Sequence, residues 1–353
     1  MRINLEKAGP EIRRVNLGER SYDVVIGRGI LGRAGEYLPL QRKVLVVTDS
    51  GVPKAYAEAA AACCREPVIC VIGQGEENKN LASFEMLLRA MLTHGFTRKD
   101  CVVAVGGGIC GDLAGFAAAS YMRGVDFYNI PTTVLSQVDS SIGGKTAINL
   151  DGIKNAVGAF YQPKKVLIDI DVLKTLDRRQ ISAGLAEALK MSVTFDEELF
   201  RIFEDFAPEE EGIEENLERI IARSLAIKAR VVEQDEKEQG LRKVLNFGHT
   251  IGHGIESQCL DGSLYHGECV AIGMLPMCSP AVRERLLPVL EKLHLPTGCV
   301  MDPDKVAEAV RHDKKSEDGK VTIVETDRIG TYRLESVSYE VLREKVAMVV
   351  RPR

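Results

Sequence analysis

The sequence predicts an α/β half followed by a helical half, and three observations carry that reading. Between residues 21 and 170, short β-branched runs alternate with alanine-rich or amphipathic stretches. One of those runs, CVVAVGGG, passes straight into glycines. After Leu176 the strand signals nearly vanish, and the second half carries a glycine- and histidine-rich stretch, LNFGHTIGHGIE. Together they predict a nucleotide-binding domain over 1–176 and a metal-centred helical domain over 177–353.

Taken in order, SYDVVI (21–26) reads as a short strand after a polar lead-in. KVLVVTDS (43–50) is a β-branched run ending in a polar turn, as expected of a strand buried in a parallel sheet. A helix over 53–64, a strand at PVICVI, a helix over 81–94 and a strand at CVVAV follow. Such alternation argues for right-handed crossovers and a parallel sheet, with ligands at the carboxyl ends of its strands. Gly106, Gly107 and Gly108 fall at such an end and open a helix, where backbone can approach a phosphate. The GxGxxG fingerprint is absent. DFYNIP (126–131) and VLIDI (166–170) read as further strands. Between them, PTTVLSQVDSSIGGKTAIN and DGIKNAVGAFYQP are polar but nearly uncharged, a composition suited to a lined cavity.

Beyond residue 176, apolar spacing of three to four predicts helices through ISAGLAEALKMS and over 196–206, 217–238, 246–258, 267–277, 281–294 and 304–313. A short strand is expected at VTIVET, 321–326.

Composition limits the function classes. A net charge of −5 gives no general attraction to nucleic acid or anionic membrane. The first residues, MRINLEKAGPEIRR, are charged and lack the apolar core of a secretory signal, and uncharged stretches fall short of a membrane span. Nine cysteines without a CxxC pair, several in apolar runs, point to buried thiols in a reducing cytoplasm.

The chemistry concentrates in polar residues with apolar or neutral neighbours. His249 and His253 stand four apart, His266 follows in LYHGECVAIGM, and Glu187 precedes them in GLAEALKMS. A carboxylate and imidazoles from separate segments can converge on one divalent metal, zinc being suited, with a position left open for substrate. Lys145, Lys154, Lys190, Lys228, Arg123 and Arg242 form a set of cations fit for phosphate and carboxylate groups, and Asp139 could pair with one of them. The residues alone therefore describe a nucleotide-dependent metalloenzyme acting on a small polyanion.

The motifs GGGICGDLAGFAAASYMRG, IPTTVLSQVDSSIGGKTAIN, GIKNAVGAFYQP, AEALK, VVEQDEKEQGLRKVLNFGHTIGHGIE and HGECVAIGM, in this order, resemble the 3-dehydroquinate synthase family over about residues 70–280. The resemblance implies a Rossmann-like N-terminal domain and an all-helical, metal-binding C-terminal domain. It implies NAD, one zinc or cobalt ion, and a homodimer. It also implies conversion of 3-deoxy-D-arabino-heptulosonate 7-phosphate to 3-dehydroquinate and phosphate in the shikimate pathway. By motif, Glu187, His249 and His266 are the implied metal ligands, and His253 becomes a substrate-side histidine. Lys145, Asn155, Asn246 and His253 would surround the phosphate, with Arg123 reaching in from a second subunit. Lys228 and Arg242 would hold the carboxylate, and Asp139, Lys154 and Lys190 would lie near the nicotinamide and reacting carbons. The implied cofactor positions are Asp49, Glu76, Lys79, Gly107, Gly108, Asp112, Thr132, Thr133, Asp139, Lys145, Lys154 and Thr175. Lys314 or Lys315 would complete the phosphate site.

The region over 275–297 looks shorter than the family pattern. Rival expectations are a sugar-phosphate cyclase of secondary metabolism and an NAD- and metal-dependent polyol dehydrogenase. Against the first, two unpaired cations at Lys228 and Arg242 would be costly without a substrate carboxylate. A catalytically dead scaffold is a third reading, opposed by the intact ligand positions.

Overall fold

The computed structural model describes residues 9–205, 212–259, 262–313 and 320–352, so residues 1–8 and both Lys314 and Lys315 lie outside the described residues. The chain divides into two compact units, Met1–Leu176 with Lys228–Glu233, and Asp177–Ile227 with Gln234–Arg353.

The first unit runs β1 (Glu11–Val15), β2 (Tyr22–Gly27), α1 (Ala34–Tyr37), β3 (Lys43–Asp49), α2 (Lys54–Ala62), β4 (Glu66–Ile72), α3 (Leu81–Thr93), β5 (Cys101–Gly106), α4 (Gly108–Ser120), β6 (Asp126–Pro131), β7 (Lys145–Leu150), β8 (Ile153–Phe160) and β9 (Lys165–Asp169). Seven strands form one sheet in the order β1-β2-β9-β6-β5-β3-β4. β5 is buried along its whole length, which is why its sequence is apolar without alternation. Leu45, Val47, Val102 and Ala104 from the sheet pack with Leu87 and Met91 of α3 and Leu113 and Ala114 of α4. The strand order reverses at β3, which has β4 on one side and β5 on the other. Asp49 and Gly106, at the carboxyl ends of β3 and β5, therefore fall at the switch point where open α/β sheets bind ligands.

Two parts of this unit differ from the expectation. The polar lead-in forms β1, an antiparallel edge strand on β2. Its alternating charges hid it, because an edge strand can keep most of its side chains in water. The later part of the polar, nearly uncharged stretch forms the β7–β8 hairpin, which the sequence reading did not include, closed by Asp151 at φ +49° and Gly152 at φ +79°. An Asp-Gly pair with both φ positive is the favoured two-residue hairpin turn, a signal that the weak hydrophobicity of the flanking strands obscured.

The second unit contains α5 (Arg178–Phe195), α6 (Glu197–Asp205), α7 (Gly212–Gln234), α8 (His249–Gln258), α9 (His266–Met274), α10 (Pro280–Lys292), β10 (Cys299–Val300), α11 (Pro303–Asp313), β11 (Lys320–Glu325), β12 (Arg333–Ser338), α12 (Tyr339–Ala347) and β13 (Val350–Arg351). Lys228–Glu233, near the end of α7, counts with the first unit. Helices dominate, as the spacing implies, and two small sheets are added, β11 with β12 and β10 with β13. The helix expected over 217–238 stops at Gln234, because the Asp235 carboxylate takes the N–H groups of Gln239 (2.8 Å), Gly240 (2.7 Å) and Arg242 (3.0 Å) into a loop. The helix expected from 246 starts at His249, after a 3-10 turn over Leu241–Asn246 and a left-handed Gly248. Among the described residues, no helix is long and apolar enough to cross a membrane.

Candidate active site and metal centre

In the second unit, helix packing builds the centre. Glu187 and Lys190 stand one turn apart on α5 and are each 1% exposed. α8 contributes His249 in its first turn and His253 one turn later, and α9 begins at His266. Glycines let these helices approach. A Cβ on Gly267 would sit 1.8 Å from the Ala183 carbonyl oxygen of α5, and one on Gly273 would sit 2.1 Å from the Gly248 carbonyl oxygen. No side chain fits at either contact.

The result is convergent. Glu187 Oε1 lies 3.4 Å from Nε2 of His249 and 3.4 Å from Nε2 of His266. The other ring nitrogens are engaged: His249 Nδ1 lies 3.2 Å from the Phe247 carbonyl and His266 Nδ1 lies 3.0 Å from Glu256 Oε2. With Nδ1 engaged behind it, Nε2 of each ring is the nitrogen turned toward Glu187. Metal-binding histidines are held in this way by a carbonyl or carboxylate behind them. The three histidines also bring one ring nitrogen each to within 4.8 Å of one another, His253 included.

The electrostatics suit a cation. The buried Glu187 oxygens lack a well-aligned hydrogen-bond partner, although the Lys190 ammonium forms an ion pair with Oε2. Burial alone would raise this carboxyl, but Lys190 and the two histidines hold it well below the usual carboxylate range. Burial pushes His249 well down, toward the neutral form that ligates metal. Burial opposes charge on His266 too, yet Glu187 and Glu256 raise it to about 10. A proton there does for the carboxylates what a bound cation would do. These residues fit a divalent metal: a charged oxygen, two oriented imidazoles and supporting contacts behind both.

Elsewhere in this unit, Arg242 is 2% exposed and its Nη1 donates to the Glu236 carbonyl at 2.5 Å. Asn246 donates to Glu238 Oε1 at 2.7 Å.

In the first unit, the expected cofactor positions Asp49, Gly107, Gly108, Thr132 and Thr133 lie at or just after the carboxyl ends of β3, β5 and β6. The Thr132 N–H donates to the Gly106 carbonyl at 2.9 Å, and a Cβ on Gly107 would lie 3.2 Å from the Thr133 methyl. Gly108 opens α4 and Gly107 is its N-cap, with no side chain capping the first turn. Burial raises the Asp49 carboxyl, against the lowering effect of the Gly51 and Val52 N–H groups. A bare strand end beside a helix N-terminus fits a dinucleotide pyrophosphate. Thr175 receives a hydrogen bond from Tyr56 at 3.2 Å. Lys79 joins Asp112 (2.6 Å) to Asn155 (2.5 Å), and Glu76 accepts from Asn149 at 2.8 Å. Lys145 begins β7, and Lys154 lies on β8 beside Asn155.

Two placements alter the sequence argument. Lys228 is ion-paired with Asp139. Since Arg242 is also bonded, the cost of two unpaired cations does not separate the rival cyclases. Arg123 has φ +66° and lines an open hollow of about 610 Å³ with Thr97, Arg98, Lys99 and Met122, none of them an expected site residue. Glu256, Glu238, Asp235 and Asn149 were not singled out in the sequence. Glu256 lies inside the histidine stretch, but only the helix packing shows which ring it supports.

Residues 69–183 match the family model for the N-terminal part of 3-dehydroquinate synthase, and residues 184–316 match that for the C-terminal part. A 3-dehydroquinate synthase from Pelobacter propionicus is 43% identical over 336 residues, covering 90% of this chain and 93% of the relative. Two solved structures share the fold with a TM-score of 0.85. One is 2-deoxy-scyllo-inosose synthase complexed with carbaglucose-6-phosphate, NAD+ and Co2+, at 25% identity, covering 96% of this chain and 100% of that one. The other is 2-epi-5-epi-valiolone synthase from Streptomyces hygroscopicus with NAD+ and Zn2+ bound, at 29% identity, covering 95% and 98%.

Proposed function

The chain belongs to the 3-dehydroquinate synthase family, and from that premise we propose how its own residues carry the reaction. The reaction converts 3-deoxy-D-arabino-heptulosonate 7-phosphate to 3-dehydroquinate and phosphate. The higher identity to the synthase of Pelobacter propionicus than to the inosose and valiolone cyclases supports this substrate. NAD and one divalent metal, zinc or cobalt, are the cofactors. When bound, NAD would supply reversible hydride acceptance and the metal would supply Lewis-acid polarisation of the hydroxyl oxygen at C5, leaving no net redox change.

The observation that carries the reading is the convergence of Glu187 Oε1 with Nε2 of His249 and His266. Those three atoms would hold the metal. Lys190, buried beside Glu187, would orient the reacting hydroxyl and supply a proton donor close to it. Lys228 and Arg242 would bind the carboxylate, with Asp139 exchanging partners as substrate arrives. Lys145, Asn155, Asn246 and His253 would hold the phosphate, and His253 would move a proton as phosphate departs. Lys154 would sit near the reacting carbons. Asp49, Glu76, Lys79, Asp112, Thr132, Thr133 and Thr175 would line the dinucleotide, with Gly107 and Gly108 at its pyrophosphate. The working form in this reading is a cytoplasmic homodimer, in which Arg123 serves the neighbouring subunit. Nine free cysteines agree with a reducing compartment.

The test is phosphate release from the heptulosonate phosphate with catalytic NAD and zinc, recorded together with NADH absorbance. Stoichiometric phosphate without lasting NADH is expected. NADH accumulating from a polyol, with no phosphate released, would overturn the reading.

A further inference from the structure

Asn149 has none of the roles given above, yet it anchors the β7–β8 hairpin through both ends of its side chain. Its Oδ1 accepts the backbone N–H of Asn155 at 2.8 Å. Its Nδ2 donates to Glu76 Oε1 at 2.8 Å and to the Glu76 carbonyl at 3.3 Å. Its own N–H donates to the Lys79 carbonyl at 2.8 Å.

The contact with Asn155 has a consequence. Asn155 has φ +53°, in the left-handed region that residues other than glycine seldom occupy. Such a conformation persists where the surroundings impose it. The Asn155 side chain in turn accepts from Lys79 Nζ at 2.5 Å, and Lys79 also donates to Asp112 at 2.6 Å. The Glu76–Lys79 turn, Asp112 on α4 and Asn155 on β8 are three separate segments, and Asn149 ties the first to the strand that carries Asn155.

We propose that Asn149 is a positioning residue that sets the left-handed backbone at Asn155 and fixes the Glu76 turn, so that substrate-side and cofactor-side groups hold a common register. The proposal rests on the placement of Glu76, Lys154 and Asn155 given under Proposed function. An amide suits both contacts because it accepts on one side and donates on the other. An aspartate would set a carboxylate against Glu76, and an aliphatic residue would satisfy neither partner.

The test compares the full-length, zinc-loaded chain with its Asn149→Ala, Asn155→Gly and double variants. Steady-state kinetics, NAD binding and hydrogen–deuterium exchange of the hairpin are recorded. Asn149→Ala is expected to lower kcat/KM about tenfold, the scale of one or two lost hydrogen bonds, with protection lost mainly around Asn155. Glycine adopts positive φ without strain. At saturating NAD, where loss of the Glu76 contact is masked, the further loss on removing the Asn149 side chain in the Asn155→Gly background is therefore expected to be under about twofold. An unchanged kcat/KM for Asn149→Ala, or the same tenfold loss in both backgrounds, overturns the proposal. So does a loss that tracks only the folded fraction, with kcat and KM per active site unchanged. If Asn155→Gly alone leaves kcat/KM unchanged, the placement of Asn155 is wrong, and that failure is recognised because Asn149 is intact in that variant. Should Asn149→Ala not fold, the isosteric Asn149→Asp keeps the acceptor for Asn155 and loses the donor to Glu76. Weaker NAD binding with substrate KM within about threefold supports the proposal, and the reverse split overturns it.

Discussion

His266 Nδ1 lies 3.0 Å from Glu256 Oε2, ten residues earlier in the chain. The carboxylate fixes the ring so that Nε2 faces Glu187. Removing its charge while keeping its shape should weaken the metal without deleting a ligand. Glu256→Gln is expected to lower zinc affinity about 10- to 100-fold, measured by competition with a chromogenic chelator. Unchanged affinity would remove Glu256 from the centre.

Deleting a ligand should have a larger effect. His266→Ala is expected to abolish zinc retention on gel filtration and to abolish turnover, and chelation of the unaltered chain should do the same until zinc is restored. Full activity of His266→Ala in metal-free buffer would contradict the ligand assignment.

Gly267 meets the Ala183 carbonyl where a Cβ would sit only 1.8 Å away. Both atoms belong to helix backbones, so a methyl group must push α9 from α5. Gly267→Ala is expected to cost about 1–3 kcal/mol or more and to loosen zinc, since His266 and Glu187 flank this contact. A melting temperature within about 1 °C of the unaltered chain, less than a 1 kcal/mol change would give, would show that the helices can adjust.

Asp235 gives a pH-dependent prediction. Burial raises its carboxyl, but the N–H groups of Gln239, Gly240 and Arg242 outweigh it and lower the folded value. A depressed carboxylate contributes stability that is fully present above its unfolded value of about 3.9. That contribution fades as pH falls through the lower folded value. The stability gap between the unaltered chain and Asp235→Asn, read from urea midpoints, should be constant near neutrality and close only below about pH 4. A gap that closes at pH 6 would point to another group.

Arg242 is held in the same loop, and Arg242→Ala should raise KM for the heptulosonate phosphate more than it lowers kcat, because it removes a charge-assisted contact made before chemistry. An unchanged KM would mean that the carboxylate binds elsewhere.

What the sequence determined by itself follows from short-range physics. β5 is legible because a strand buried on both faces must be apolar throughout, and the helical half because spacing of three to four reports a buried helix face, as at Leu199, Phe200, Ile202 and Phe203 of α6. The stretches of glycine, histidine and hydroxyl residues carried the family resemblance. β1 was not legible, since an edge strand keeps charged side chains in water, and β7–β8 was not, since its small polar strands lack a hydrophobic period. Only the tertiary structure decided the pairings. Asp139 with Lys228 lies 89 positions apart in sequence, Lys79 with Asn155 lies 76 apart, and Glu187 faces histidines from two later helices. Periodicity shows which side of an element is buried. Which partner meets it there depends on how closely the backbones approach, and at Gly267 and Gly273 that distance is set by the absence of a side chain.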